Sequence, residues 1–199
     1  MIPRAVVFDL GNVFVQVDAG KGVAALTRCG VPREMFDGGG VVRSLLHAYE
    51  RGEIGTQAFH EAVCGRLDTV PLARFCEIYC DIFTPVQAMI DVNNALRGCG
   101  LPTYLLSNTS VLHFEHLRAQ YEFMARFDRY FLSYELGCMK PEPAIYEAVE
   151  EALGLRSREL VFMDDARENV EAARARGWTA IHHTDPARTL AALRELGLL

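Results

Sequence analysis

The 199-residue chain carries 20 Lys and Arg against 26 Asp and Glu, a formal net charge of −6, with 50% hydrophobic and 23% charged residues. That composition fits a globular chain with one sizeable core and room for a small accessory domain, and it lacks the basic footprint of a nucleic-acid binder. No apolar stretch approaches the roughly 20 residues that span a bilayer, and Met1 leads into a strand pattern rather than a basic, then apolar, leader. The six cysteines are scattered, without a Cys-x-x-Cys pair, so reduced thiols in a cytoplasmic setting are expected. Ala5-Val-Val-Phe8 reads as a buried strand that ends at Asp9 and Gly11. Apolar spacings of three and four then predict helices over Gly22 to Arg28, Val41 to Arg51, Gln57 to Leu67 and Leu72 to Phe83. Gly30-Val-Pro32, Gly38-Gly-Gly40, Gly52 and Val70-Pro71 mark the turns between them. This stretch reads as a small helical bundle with no strand.

From about Pro85 helices and strands alternate. Helices are expected over Val86 to Leu96, Leu112 to Phe127, Pro143 to Leu153, Arg167 to Arg176 and Pro186 to Leu196. Strands are expected over Thr103 to Leu106, Tyr130 to Leu132, Leu160 to Met163 and Trp178 to Ile181. Such alternation implies an α/β fold, a Rossmann-like parallel sheet flanked by helices, with right-handed crossovers. The helical stretch is then an insertion after the first strand. The expected division is a core of residues 1–15 and 86–199 and a helical cap of 16–85. Ligands of open parallel sheets sit at the carboxyl ends of the strands, so the cap would lie over the site as a lid.

Three strands end in polar residues: Asp9, Ser107 and the pair Asp164-Asp165. Lys140 lies in a loop before a helix. Singly, each has an ordinary explanation as a turn, cap or solvated residue. If the strands are neighbours, the side chains converge on one pocket. Carboxylates there would hold a hard divalent cation through oxygen. A hydroxyl and an ammonium would bind phosphoryl oxygens, and Asp9 would attack phosphorus to give an acyl phosphate.

The segments Val6-Val-Phe-Asp-Leu-Gly-Asn-Val13, Leu105-Leu-Ser-Asn108, Gly137-Cys-Met-Lys-Pro-Glu-Pro143 and Val161-Phe-Met-Asp-Asp165 resemble the four motifs of the haloacid dehalogenase superfamily. Asp-Leu-Gly-Asn-Val at the start, Glu50 to Ile54 in the cap and Leu106 to Thr109 resemble most closely its bacterial α-D-glucose-1-phosphatase group. The resemblance implies a magnesium-dependent phosphatase acting on a small phosphorylated metabolite such as a sugar 1-phosphate. It implies Asp9 as nucleophile and metal ligand and Gly11 as a ligand through its carbonyl. It makes Ser107 and Asn108 the phosphate-binding pair and Lys140 the residue that stabilises charge. Asp165 is implied as an acidic metal ligand, with Asp164 a ligand or its neighbour. A monomer or homodimer is expected, with neither nucleic acid nor membrane as partner.

One position departs from the superfamily pattern. Many of its phosphatases carry an acid two residues after the nucleophile, and here that position is Gly11. Without that acid, substrates with a good leaving group should be favoured, so sugar 1-phosphates are expected over the matching 6-phosphates. His47, Glu50 and Arg51 share one predicted helix and are candidates to reach the substrate, against the alternative of a solvated face. Asp18, at the hinge, is a candidate for proton transfer or substrate binding. His113, His182 and His183 read as helix-surface and strand-end residues. Two rivals remain. Hydrolytic dehalogenation of a 2-haloacid uses the same nucleophile without metal, and the paired acids of the last motif argue against it. A non-catalytic protein of the same fold is the other, and the intact Asp9, Ser107, Lys140 and Asp165 argue against that.

Overall fold

The structure, a computed structural model, describes residues 3–37, 41–65 and 70–199. The chain opens with β1 (Ala5–Phe8) and the short β2 (Val15–Val17), then enters α1 (Ala19–Arg28), α2 (Val41–Glu50), α3 (Thr56–Cys64) and α4 (Leu72–Cys80). It leaves that insertion by β3 (Phe83–Pro85) and continues through α5 (Gln87–Gly98), β4 (Thr103–Ser107), α6 (Val111–Gln120), β5 (Arg129–Leu132) and α7 (Ser133–Leu136). It closes with α8 (Pro143–Leu153), β6 (Leu160–Asp164), α9 (Arg167–Ala175), β7 (Thr179–His182) and α10 (Pro186–Glu195).

The main sheet has the order β5-β4-β1-β6-β7 with every pairing parallel. The chain order reverses at β1, which lies between β4 and β6. That is the switch point at which open α/β sheets form their crevice. β1 is buried along its whole length, as a strand covered on both faces must be. Val6 and Phe8 join one core with Leu105, Val161 and Met163, while Ala5 and Val7 join another with Leu106, Leu160 and Phe162. Phe8 packs edge-on against Phe14 at 5.0 Å. Fully burying one such aromatic ring contributes about 1.5–3 kcal/mol.

The insertion has a third core, in which Leu26 and Val31 meet Tyr49, Phe59, Val63, Phe75 and Ile78. Its helices follow the expected periodicity. The stretch is not free of strands, however: β2 and β3 pair antiparallel at its root, with Val17 opposite Phe83. Each strand has three residues, too few for alternation to register, and the helix expected to reach Phe83 stops at Cys80. The helix expected over Leu112 to Phe127 also divides. Tyr121 is extended, at φ −126° and ψ 119°, and a 3-10 turn covers Glu122–Arg126. Phe123, Met124 and Phe127 are all buried, and their spacing imitates a continuing helix. The turn expected at Gly38 to Gly40 and the helix end expected at Leu67 lie outside the described residues.

Candidate active site

Asp9 follows β1, Ser107 ends β4 and Asp164 ends β6, so three adjacent strands present polar side chains along one edge. Lys140, in the loop before α8, projects its ammonium between two of them. Nζ lies 2.6 Å from Asp9 Oδ1 and 2.6 Å from Asp164 Oδ2. All three side chains are buried, with relative exposures of 8% for Asp9, 5% for Lys140 and 0% for Asp164. Burial pushes the Asp9 carboxyl up to about 7, with the Lys140 ammonium opposing the rise and Asp164 adding to it. Burial alone would lower the Lys140 pKa, yet the two carboxylates hold it above the ordinary value.

Each group has a second set of contacts that fixes it. Asn108 forms a reciprocal pair with the backbone of Lys140: its Nδ2 donates to the Lys140 carbonyl at 2.8 Å and its Oδ1 accepts the Lys140 N–H at 2.8 Å. The Asn108 side chain therefore positions the lysine rather than standing free for a ligand. Asp164 Oδ1 accepts from the Ala166 N–H at 2.8 Å, and Asn169 Nδ2 donates to both Asp164 oxygens at 3.0 Å. Asp165 Oδ2 accepts from Asn12 Nδ2 at 2.9 Å. Asn12 itself sits in the left-handed region at φ 52°, a conformation Asn tolerates better than most residues. Asn12 and Asn169 were not foreseen as site residues. Asn12 has a signal in the Asp-Leu-Gly-Asn run, and Asn169 has one as a polar residue on the buried side of α9.

Carboxylate oxygens of Asp9, Asp164 and Asp165 lie within 4.8 Å of one another. Such a set of hard oxygen donors suits a small divalent cation. Asp164 is the most committed of the three, since both its oxygens already accept hydrogen bonds. Asp165 Oδ1 has no such partner among the described residues.

Beside this cluster is a cavity of about 200 Å³, with Gly11, Ser107, Asn108 and Thr109 on the sheet side and Leu46, Glu50 and Tyr79 on the insertion side. The insertion residues named from the sequence do not share one environment. Arg51 is ion-paired with Glu142 and donates to the Gly137 carbonyl at 3.3 Å, so its guanidinium fastens α2 to the loop that carries Lys140. His47 is exposed and does not line the cavity. Asp18 caps α1 by accepting the Lys21 N–H at 3.0 Å. An exposed cap at a helix start explains that aspartate fully. Among these candidates Glu50 alone faces the cavity. His113 is not a surface residue either. It lines the cavity, stacks on Tyr79 at 3.9 Å and places Nε2 3.0 Å from the Tyr79 carbonyl. His182 ends β7, with Nε2 2.8 Å from the Asp165 carbonyl oxygen, and buried His183 pairs with Thr189.

A parallel sheet that gathers carboxylates, a lysine and a serine at the carboxyl edge of its switch-point strands is an α/β enzyme architecture. The chain belongs to the haloacid dehalogenase-like hydrolase family, whose model matches residues 3–177. It is 34% identical over 112 residues to the sesquiterpene phosphatase astK of Aspergillus oryzae, a match covering 56% of this chain and 57% of that one. The chain thus spans little more than half the length of that relative. It is 26% identical over 191 residues to the D-ribitol-5-phosphate phosphatase of Bacteroides thetaiotaomicron, covering 88% of this chain and 89% of that one. The wild-type HAD family enzyme bt-2542 of the same organism, crystallised with magnesium and inorganic phosphate, superposes with a TM-score of 0.79 at 25% identity, covering 90% of this chain and 93% of that one.

Proposed function

We propose that the chain is a magnesium-dependent phosphatase that hydrolyses a small phosphate ester through an aspartyl-phosphate intermediate on Asp9. One observation carries this reading: a buried Lys140 bridges Asp9 and Asp164, with Asp165 completing a carboxylate cluster within 4.8 Å. A dehalogenase needs no cation, and three clustered carboxylates are costly without one. A non-catalytic descendant would keep Lys140 for stability alone, and the turnover assay below separates that reading from this one.

The residues then divide the work. Asp9, Asp164 and Asp165, with the Gly11 carbonyl, would hold magnesium, which when bound neutralises phosphoryl charge. Lys140 orients the Asp9 carboxylate and offsets charge developing on the phosphoryl group. Ser107 lines the cavity, where its hydroxyl would bind a phosphoryl oxygen. Asn108 keeps Lys140 in place. Asp9 attacks phosphorus, the ester oxygen leaves, and water later cleaves the aspartyl phosphate. The insertion, residues 16–85, serves as the cap that closes over the ester's organic part.

A sugar phosphate, with sugar 1-phosphates foremost, is the proposed substrate class. The glucose-1-phosphatase resemblance supports the 1-phosphates, and the Bacteroides relative, named for a polyol phosphate that is a primary-alcohol ester, supports the wider class alone. The test is phosphate and halide release from a panel of sugar phosphates and 2-haloacids, with and without magnesium. The expected result is magnesium-dependent phosphate release that Asp9→Asn abolishes. Halide release, or turnover by a folded and undeamidated Asp9→Asn protein, overturns the reading. Within the panel, the resemblance to the glucose-1-phosphatase group favours a higher kcat/KM for glucose 1-phosphate than for glucose 6-phosphate, and this comparison is independent of which residue supplies the proton.

A further inference from the structure

Glycine at position 11 leaves the sheet side of the cavity without a side-chain acid in the usual place. The insertion side supplies one. Glu50 is the last residue of α2 and lines the same cavity as Gly11, Ser107 and Asn108. Its backbone is pinned to the strand end that carries Ser107: Ser133 Oγ donates to the Glu50 carbonyl at 2.6 Å and accepts the Thr109 N–H at 2.9 Å. Two residues on, Gly52 passes so close to Tyr134 that an added Cβ would lie 2.3 Å from its carbonyl oxygen. Arg51, between them, is held by Glu142 and the Gly137 carbonyl. Position 50 is therefore fixed against the core at three successive residues.

We propose that Glu50 is the proton donor and acceptor of the reaction, replacing the acid that position 11 lacks; this rests on the phosphatase reading above. As an Asp9 oxygen bonds to phosphorus, the bond from phosphorus to the ester oxygen breaks and its electron pair stays on that oxygen. The Glu50 carboxyl proton passes to it, giving a free alcohol and a Glu50 carboxylate. In the second step the carboxylate takes a proton from water as that water attacks phosphorus. The bond from phosphorus to Asp9 then breaks, and both side chains are restored.

The surroundings of Glu50 suit this role. Among the described residues its carboxyl group makes neither an ion pair nor a hydrogen bond, and burial pushes it up to about 7. A carboxyl held there exchanges protons near neutrality, where general catalysis is most efficient. The ionisable groups around the cavity supply no competing cation. Tyr79 on α4 has its pKa raised, by burial first and then by Glu50 itself. Tyr49 on α2 is likewise raised by burial. His113 on α6 is lowered by burial to about 4 and is neutral. Lys140 is committed to Asp9 and Asp164.

The test compares wild type with Glu50→Gln, both with magnesium, on an alkyl phosphate and on para-nitrophenyl phosphate, whose leaving group needs no proton. Glu50→Gln should lower kcat/KM, which reports formation of the aspartyl phosphate, roughly 10²–10⁴-fold on the alkyl ester and less than about tenfold on the aryl ester, while kcat falls on both because water attack on the shared intermediate also loses its base. The fall in wild-type kcat/KM for the alkyl ester above about pH 7 should vanish in the variant. A retained aryl kcat/KM also shows that the variant is folded. Equal losses of kcat/KM on both esters, an unchanged alkyl kcat/KM or a retained alkaline limb would overturn the proposal while leaving the phosphatase reading intact. A wild-type protein that cleaves neither ester would remove that reading, and this proposal with it.

Discussion

Lys140 is one ammonium between two buried carboxylates, and its removal leaves those charges facing each other without water. Breaking a buried ion pair from one side typically costs about 3–5 kcal/mol. Lys140→Met should therefore lose stability on that scale in urea unfolding of the metal-free protein, as well as turnover. A variant as stable as wild type would mean that the carboxylates are solvated rather than held by the lysine. Glu50 is a separate case, because it has no partner. Its folded pKa of about 7 lies above the ordinary 4.5, so between those values the native chain keeps a proton that the unfolded chain releases. The contribution of Glu50 is complete below about pH 4.5 and is lost as pH rises towards 7. The slope is at most about 1.4 kcal/mol per pH unit. Glu50→Gln cannot titrate and should be flatter across this window. Unfolding curves of both proteins at the two ends of the window, without metal, measure the difference. Parallel pH profiles would show that the carboxyl is solvated.

The docking of α2 onto α7 rests on few groups. Ser133 bridges Glu50 and Thr109, and Gly52 approaches Tyr134. Ser133→Ala strands the Thr109 N–H and the Glu50 carbonyl, at about 1–3 kcal/mol for each group that water does not reach. The variant should show a lowered Tm and, because Glu50 loses its anchor, a larger fall in kcat/KM on alkyl esters than on aryl esters. A lowered Tm with equal effects on both esters would make Ser133 a stability residue alone. None of these contacts had a sequence signal, since Ser133 lies 24 positions from Thr109 and 83 from Glu50, and the approach of Gly52 to Tyr134 depends on the backbone. The helices of the insertion were legible because Tyr49, Phe59, Val63 and Phe75 recur at helical spacing and share one core. The β2–β3 ribbon was not legible. It has three residues a side, and only Val15 of β2 is buried.

For the molecule as a whole, the sequence made the catalytic edge legible through topology. A buried apolar run ending in Asp9, Ser107 or Asp164-Asp165 needs only the order β4-β1-β6 to bring those ends together, and the sheet has that order. Less visible were the groups that hold them. Asn12, Asn169 and Ser133 read as ordinary turn or helix residues until the fold brings them to their partners. The same fold concentrates negative charge: Asp9, Asp164 and Asp165 meet within 4.8 Å, with one ammonium among them. A chain with this excess should be stabilised by a cation that binds the native state and not the unfolded one. The gain grows as the logarithm of concentration and reaches about 2.7 kcal/mol at a hundredfold excess over Kd. Magnesium should therefore raise Tm progressively, whereas sodium chloride at matched ionic strength should do so far less, because buried charges are poorly screened. Asp165→Asn should keep the fold and lose most of the magnesium-dependent rise together with turnover, since it removes a carboxylate charge whose Oδ1 accepts no hydrogen bond among the described residues. Thermal unfolding of wild type and variant in magnesium, in sodium chloride and in excess chelator makes the comparison. Equal Tm values for wild type in all three, with full turnover in chelator, would show that the acidic cluster is not a metal site.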